Sequence, residues 1–503
     1  MLNRQRLVLL FLTSLSAIAA FAQSAPAKAT GPEKLSLNDA IQRALAKNFS
    51  IKVVGLNASI AAAGVTESLG KFDPVLNGNY RYSTNTSPAI VDPKFGLVSP
   101  AGIVDATSVD LGVGGLAPWG MTYTLGASST NSRGTFNGYA NNYSTFAGIN
   151  GTQPLLRDAG FGATLTSIRI ARTNRNISEW QYRQAVIDTV TNVIFAYNDL
   201  DFAYASRRSA IRSRDLAAGL LAENEQRFKV GDTSQYDVTS ARSRTAGRED
   251  SILAAEHQVT VAENALKQLI TDTTTPALLE RHLLIEPPPP APLVLVDPAA
   301  DFRIALEKRP DYQQAKLVLK RNGLNARLQR NQLLPRVDLV GSYGYNGNDT
   351  NFDASRAQVR NQDYRAYSYG VVLSVPLSFT TERGRYRAAR MQENLSATEV
   401  EQVEQNIVVY VGNAADQIVT GQKRVEATRK ARELAQATLD AEVKRLHAGQ
   451  SSTFIVAQQQ EILSAAEVIE ALAQSNYQKA LADYDRQLGV TLEKLNITVQ
   501  PPR

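Results

Sequence analysis

The sequence predicts a mixed fold that combines a membrane β-barrel with long α-helices packed as a coiled-coil barrel. Three observations lead to this fold class. The order of motifs in the first half of the 503-residue chain recurs in the second half. Short segments in each half alternate polar and apolar residues, and a long stretch without proline follows them. About four strands per chain are too few to close a barrel, so several copies are required.

The N-terminus has the pattern of a secretory signal peptide. Arg4 and Arg6 precede an apolar run that ends at Ile18, and a small-residue cleavage site lies before Gln23. The run is shorter than the roughly 20 residues of a membrane span. No later segment reaches that length without polar or charged residues. We therefore expect residues 1–22 to be removed and the mature chain to have no transmembrane helix.

The two halves of the chain are an internal duplication. The segment ALAK at 44–47 recurs as ALEK at 305–308, an offset of 305 − 44 = 261 residues. The segment QPL at 153–155 recurs as VPL at 375–377, an offset of 375 − 153 = 222 residues. The first half therefore contains 261 − 222 = 39 additional residues, which the matching segments place between Tyr82 and Gln153.

A proline-rich segment separates the two repeats. Four consecutive prolines favour an extended, semi-rigid linker over residues 286–298. The first repeat is then expected at 23–285 and the second at 299–490, with a C-terminal tail at 491–503.

Each repeat is expected to begin with a helix and a strand pair. The first helix starts at Ser36 with a capping-box-like spacing to Asp39 and runs to about Leu69. Its counterpart runs from about Ala299 to Leu334 and is interrupted by Pro310.

The predicted strands alternate between an apolar, tyrosine-bearing face and a polar face. They cover 74–82 and 145–151 in the first repeat and 335–343 and 367–373 in the second. The apolar face is compatible with a soluble core or with lipid. Residues 105–130 alternate as well, and they form either an extra hairpin or a large external loop.

Long helices should fill the proline-free stretches. The predicted spans Thr164–Arg227 and Glu382–His447 are joined by turns to shorter helices, the first of which is Ser234–Thr271. A helix of 64 residues is about 96 Å long. Their apolar residues keep heptad spacing, which predicts coiled-coil packing. The clearest series is Val186, Val190, Val193, Tyr197, Leu200 and Tyr204.

The composition argues against an enzyme. The chain has no cysteine and only three histidines, His257, His282 and His447, which are far apart. We find no catalytic, cofactor-binding or metal-binding motif. The formal charge of +6 is small, and the basic residues are mixed with acids, so nucleic acid is not an expected partner. The basic runs that begin at Arg207 and at Lys423 are interpreted as solvated helix faces.

The two turns after the long helices are the candidate functional sites. Gly231 and Gly449 fit left-handed residues that end a helix. The hydroxyl residues that follow them are expected to cap the next helices. These residues are Thr233, Ser234, Ser451 and Ser452.

The chain resembles the TolC family of outer-membrane efflux proteins over nearly its whole mature length. Three segments carry the resemblance: LNDAIQRAL at 37–45, QPLLRDAG at 153–160 and RFKVGDTSQYDV at 227–238. The family implies a homotrimer with a twelve-stranded barrel and a helical tunnel in the outer membrane of a Gram-negative bacterium. It also implies a periplasmic adaptor and an inner-membrane transporter as partners, in efflux or in type I secretion.

The resemblance also implies roles for the turns. The exposed tips at Arg227–Ser234 and Arg445–Ser452 are where an adaptor would dock. Asp237 matches a position near the tunnel entrance, although its spacing from Ser234 also fits an acid in the first turn of a helix. Family members often carry aspartates on the second hairpin, where this chain has Ile455 and Gln458. An acidic, cation-sensitive gate is therefore in doubt.

Two other functions compete with a duct. A soluble periplasmic coiled-coil adaptor or structural protein explains the signal peptide and the helices but not the duplicated strand pairs. An exported hydrolase needs a catalytic constellation that the sequence does not offer.

Overall fold

The computed structural model describes residues 33–99, 101–280, 282–292 and 294–500. The predicted signal peptide, 1–22, lies outside the described residues. The strands are β1 (Glu33–Leu35), β2 (Val75–Ser87), β3 (Ile90–Asp92), β4 (Gly96–Ser99), β5 (Gly102–Leu116), β6 (Thr122–Gly134), β7 (Tyr143–Pro154), β8 (Leu283–Ile285), β9 (Arg336–Asp349) and β10 (Tyr364–Ser374). The helices are α1 (Leu37–Lys47), α2 (Phe49–Gly70), α3 (Gly160–Thr164), α4 (Thr166–Lys229), α5 (Gln235–Ile270), α6 (Pro298–Lys308), α7 (Pro310–Asn331), α8 (Phe352–Asn361), α9 (Thr380–His447), α10 (Thr453–Leu488) and α11 (Thr491–Lys494).

The main sheet has six antiparallel strands in the order β10-β9-β7-β6-β5-β2. The expectation of about four strands was wrong because residues 105–130 form a hairpin that joins the sheet. β5 and β6 pair with each other and lie between β2 and β7. A tight turn around Gly120 connects them, where φ is +97°. The additional residues of the first repeat thus add two strands, and the short β3–β4 hairpin precedes them.

The sheet has two chemically different faces, as the alternating sequence predicts. Residues that pair directly across all six strands carry apolar side chains on one face. This row consists of Leu76, Val113, Leu125, Ile149, Tyr343 and Tyr367. The opposite face is rich in polar side chains, including Asn77, Asn79, Asp110, Ser128, Asn150 and Ser342.

The helices form a single layer that continues from one end of the sheet. α4 has 64 residues and α9 has 68, which correspond to about 96 and 102 Å of helix. Near the sheet, α2 packs on α4, α4 on α7 and α7 on α9; farther away, the order is α5, α4, α10 and α9. Each cross-section therefore contains four rods. Full-length rods therefore alternate with rods made of two pieces.

The coiled-coil seams hold this layer together. Val190, Val193 and Leu200 of α4 are fully buried, as are Leu266 of α5 and Ile418 of α9. Val190, Val193 and Leu200 belong to the heptad series that the sequence predicted for this helix. Burying a side chain of this size contributes about 1.5–3 kcal/mol.

The first helix of each repeat is broken at the same place. Asn48 separates α1 from α2, whereas the sequence predicted one continuous helix from Ser36 to Leu69. The Asn48 side chain accepts hydrogen bonds from the N–H groups of Ser50 and Ile51 and caps α2. In the second repeat Pro310 is the first residue of α7, as the sequence predicted.

A segment that we call the belt, which consists of β1, β8 and the linker up to α6, lies against the middle of the helical layer. β1 and β8 pair in parallel, and the linker residues between β8 and α6 have no helix or strand among those described. The buried hydroxyl of Tyr197 donates to the carbonyls of Leu35 and Glu286, at 3.0 and 2.6 Å. Tyr477 donates to the carbonyl of Pro292 at 3.0 Å. Buried tyrosines therefore fix the belt to the rods.

One helix of the described residues, α2, is long and apolar enough to cross a membrane by length and composition. The sequence predicted a mature chain without a transmembrane helix. The helix packs along α4, but Val53, Leu56 and Ile60 are 56, 64 and 67% exposed. Its apolar character therefore lies largely on a face that this chain leaves uncovered.

Candidate functional site at the hairpin tips

The first tip, between α4 and α5, is a left-handed reversal. Gly231 has φ +79°, and its N–H donates to the carbonyl of Phe228 at 3.0 Å. The N–H of Asp232 donates to the carbonyl of Arg227 at 2.9 Å. These two hydrogen bonds define a Schellman motif, which confirms the predicted glycine C-cap. Arg227 also pairs with Asp232 through its side chain, Nε to Oδ2, at 2.9 Å.

The start of α5 is fixed by a capping box. The Ser234 hydroxyl accepts from the N–H of Asp237 at 3.2 Å, and the Ser234 N–H donates to the Asp237 carboxylate at the same distance. The hydroxyls of Ser234 and Thr233 also donate to this carboxylate. These donors hold the pKa of Asp237 below its ordinary value. Asp237 therefore acts within this chain as a capping acid, one of the two roles that the sequence allowed.

The second tip, between α9 and α10, has the same backbone but different side chains. Gly449 has φ +70°, and the Schellman bonds recur from Gly449 to Leu446 and from Gln450 to Arg445. Ser452 caps α10 by accepting from the N–H of Ile455 at 3.4 Å.

A buried acid replaces the capping box at this second tip. The Ser451 hydroxyl donates to Glu442, which also pairs with Arg445 at 3.2 Å. Ser234 and Ser452 are the caps that the sequence predicted. Thr233 and Ser451 instead bind a neighbouring carboxylate.

The two tips lie at the same end of the layer and are in contact. The Arg244 guanidinium of α5 lies 4.7 Å from the centre of the Phe454 ring of α10. Arg248 pairs with Glu461 of α10 at 3.5 Å. A small cleft of about 110 Å³ between α4, α5 and α10 is lined by Tyr236, Asp237 and Phe454, among others. The structure thus brings the starts of α5 and α10 into one surface.

The basic runs that begin at Arg207 and Lys423 were interpreted as solvated helix faces, but several of their side chains form ion pairs with neighbouring helices. Arg207 pairs with Glu256 of α5 at 2.9 Å, and Arg212 pairs with Glu467 of α10 at 2.9 Å. Arg432 pairs with Glu470 at 2.5 Å, between α9 and α10. Several of these charges therefore connect neighbouring rods, with a modest contribution of roughly 0–1 kcal/mol for each exposed pair.

Sequence reasoning missed the acidic partners of the tip residues. Asp232 follows Gly231 directly, and its distance of five residues from Arg227 matches a helix reversal rather than a helix. Glu442 lies three residues before Arg445, a spacing that places both on one helix face. Within the described ranges, no group of three or more His, Asp or Glu side chains is placed to hold a metal ion.

The fold defines a class of proteins in which a sheet with one apolar face is continued at one end by rods about 96 Å long. A soluble adaptor does not account for this sheet. The family model described as outer membrane efflux protein matches residues 120–271 and 302–490, more than half of the chain. The chain belongs to the outer membrane efflux protein family. It is located in the outer membrane.

Solved outer-membrane channels share this fold. The Campylobacter jejuni channel CmeC has a TM-score of 0.68 at 15% identity, covering 90% of this chain and 86% of that chain. VceC of Vibrio cholerae has a TM-score of 0.65 at 16% identity, covering 90% and 96%. The open state of MtrE of Neisseria gonorrhoeae has a TM-score of 0.64 at 18% identity, covering 91% and 89%. Among curated protein sequences, none matches the chain.

Proposed function

We propose that three copies of this chain form a passive exit duct through the outer membrane, which receives substrates from an inner-membrane transporter through a periplasmic adaptor. The single observation that carries the proposal is that the sheet and the helical layer are open on the same two sides. One side consists of β2, α2 and α5, and the other of β10 and α9. We call them the β2 side and the β10 side.

Both sides require a partner. Within the described residues, β2 and β10 each pair with a strand on one side only. An unpaired edge is costly in lipid, where no water can satisfy the backbone groups. In the helical layer, α2 exposes Val53, Leu56 and Ile60 on the β2 side, and α9 exposes Val408 at 53% and Val419 at 43%. Contact between the β2 side of one copy and the β10 side of the next pairs the two strand edges and covers the exposed apolar side chains.

Repeated contact of this kind joins the copies head to tail, because the two surfaces differ and each copy offers both. It closes a ring when the rotation from one copy to the next is a whole fraction of a turn. The family resemblance supplies the number three. The apolar face of the closed sheet would then contact lipid, and the polar face would line a water-filled passage. The helical layer would continue this passage as a tunnel of twelve rods.

The tips are the proposed adaptor-docking surface. They lie at the end of the rods farthest from the membrane and present the exposed side chains of Tyr236 and Phe454, 78 and 59% exposed. Large aromatic side chains contribute strongly to protein–protein contacts. The turns that hold them are fixed by Gly231 and Gly449.

A tip variant tests this proposal. Gly231→Val and Gly449→Val add a side chain where φ is positive, at a cost of roughly 1–2 kcal/mol. A Cβ at either position would have no atom within 4 Å, so only the turn is disturbed. We expect trimers in normal amounts in purified outer membranes, with reduced transport of drugs or secreted protein. Gly219→Val, on a helical residue with equal space, is the matched control. Normal transport in both tip variants would remove the tips from the mechanism, and recovery of the wild-type chain as a soluble monomer would refute the duct.

A further inference from the structure

We propose that the β5–β6 hairpin is part of the membrane barrel, so that the closed barrel has 18 strands instead of the twelve implied by the family. This inference rests on the proposed function, because it takes three copies as given. Four features of the sheet support it. They are the pairing of the hairpin with its neighbouring strands, the chemistry of its two faces, the stagger of the strands and the circumference of the closed barrel.

The hairpin is paired with a neighbouring strand on both sides over most of its length. β5 pairs with β2 from Val75–Gly114 to Ser87–Gly102. On the other side of the hairpin, β6 pairs with β7 from Thr122–Thr152 to Asn131–Tyr143. Removing it from the barrel would break both ladders. The hairpin is therefore an integral part of the sheet and not a loop laid over it.

The hairpin also continues both faces of the sheet. Leu111 and Val113 of β5 and Leu125 of β6 extend the apolar face. Asp110 and Ser128, which are paired, extend the polar face, and Asn79 of β2 donates to Asp110 at 3.2 Å. A pair of strands inserted into a barrel must alternate in this way, with one face toward lipid and one toward water. An external loop has no such requirement.

The strands are staggered as a closed barrel requires. Moving straight across the sheet from Val75 of β2, partner by partner, leads through Gly114, Thr124, Asn150 and Ser342 to Ser368 of β10. β10 then continues to Ser374, which is 374 − 368 = 6 residues farther toward the helical layer. Within one chain, the end of β10 is thus displaced by six residues relative to the start of β2, measured straight across the sheet.

The displacements of three copies add up to the shear of the closed barrel. If Val75 of the next copy pairs with Ser374, each copy contributes a shear of six, and three copies contribute 3 × 6 = 18, equal to the number of strands. Equal shear and strand number correspond to a tilt of about 36°, as in the eight-stranded α/β barrel with shear 8. Observed barrels have tilts of roughly 35–45°. In this register Leu76 lies opposite Leu373 and Tyr80 opposite Tyr369, all on the apolar face.

The circumference then matches that of the helical layer. Eighteen strands spaced about 4.8 Å apart and tilted by about 36° have a circumference of about 107 Å, whereas twelve have about 71 Å. Twelve rods with axes about 8–10 Å apart have a circumference of roughly 96–120 Å. An 18-stranded barrel therefore continues the tunnel without narrowing. Its backbone radius would be about 17 Å instead of about 11 Å, in the range of porin barrels that leave an aqueous channel.

Single cysteines test where the hairpin lies, because the natural chain has none. Asp110→Cys and Leu111→Cys place a thiol on the two faces of β5. Asn150→Cys and Ile149→Cys do the same on β7 and are the matched controls. Each trimer, reconstituted in liposomes, is treated with a charged maleimide that does not enter lipid. Lys94→Cys, on the turn of the outer β3–β4 hairpin, gives the reference for full labelling.

We expect full labelling at Asp110→Cys and Asn150→Cys and loss of labelling at Leu111→Cys and Ile149→Cys. Full labelling at both β5 positions, with β7 still alternating, would overturn the 18-stranded barrel and leave the duct intact. Labelling at both β7 positions, or the absence of a trimer, would instead refute the proposed function. End-on images of the trimer give an independent check: a barrel backbone radius of about 17 Å supports the inference, and about 11 Å contradicts it.

Discussion

The two repeats have nearly the same helices but unequal shares of the sheet. α4 and α9 have 64 and 68 residues, and α5 and α10 have 36 each. The first repeat contributes β2, β5, β6 and β7 to the sheet, whereas the second contributes β9 and β10. The helices are constrained, because each seam must pack against its neighbours over the whole rod. The sheet tolerates an added hairpin, because two antiparallel strands keep both the chain direction and the alternation of faces.

The two hairpin tips also combine a shared feature with a difference between the repeats. Both reversals have a glycine with positive φ and the same backbone hydrogen bonds. Their carboxylates, however, lie on different helices. Asp237 belongs to the helix that follows the first turn, and Glu442 to the helix that precedes the second. Backbone geometry is therefore shared between the repeats, while the side chains that fix it are not.

The largest expected effect tests whether the two helical cores are equivalent. Leu266 of α5 and Ile418 of α9 are both 0% exposed. Replacing either by alanine should destabilise the chain by about 2–5 kcal/mol. The measurement is the thermal unfolding midpoint of the purified protein, with Leu295→Ala in the exposed linker as the control. A large effect in one repeat and none in the other would show that the stability depends on one repeat only.

A smaller effect is expected where the belt is attached. Tyr197→Phe removes a donor to two carbonyls, and Tyr477→Phe removes a donor to one. Leaving buried acceptors without a donor costs about 1–3 kcal/mol, so Tyr197→Phe should be the more destabilising change. Thermal unfolding of the two variants side by side gives the order. The reverse order would mean that the linker around Pro292 is held more tightly than β1 and β8.

The smallest expected effect is a pH dependence of the first tip, where Asp237 caps the helix. The pKa of Asp237 lies below that of an unfolded aspartate, so its capping contribution is fully present above about pH 4 and is lost as the pH falls through the lower, folded value. The hydrogen-exchange protection factors at the start of α5, corrected for the intrinsic pH dependence of exchange, should therefore fall in acid more in the natural chain than in Asp237→Asn. An equal fall in the variant would show that another group controls the turn.

Much of this architecture could be predicted from local sequence patterns. Proline-free heptads determined the rods, and Gly231 and Gly449 marked the reversals because few other residues adopt positive φ. The break at Asn48 was missed, because a polar residue inside an apolar helix gives a weaker signal than Pro310. The alternation of residues 105–130 fitted a hairpin and a loop equally well. The choice between them depends on tertiary structure. β5 pairs with β2 and β6 pairs with β7, so the segment is a hairpin of the sheet.

The interaction of Thr233 and Ser451 with carboxylates also depends on tertiary geometry. Both residues precede the cap by one position, and the sequence offered no means to distinguish the two. Docking at the tips remains a prediction that the fold supports through the position of the turns.

The central claim is that the β2 side of one copy joins the β10 side of the next, and one disulfide tests it most directly. In a chain without natural cysteine, Leu76→Cys and Leu373→Cys are combined and the membranes are oxidised. The two strands lie at opposite edges of a six-stranded sheet, about 24 Å apart within one copy, so a disulfide can form only between copies. We predict a covalent trimer on a non-reducing denaturing gel. The pair Leu76→Cys and Tyr367→Cys, shifted by six residues or about 20 Å, should give none. Monomers alone from the first pair, in membranes where the protein is correctly inserted, would contradict the account.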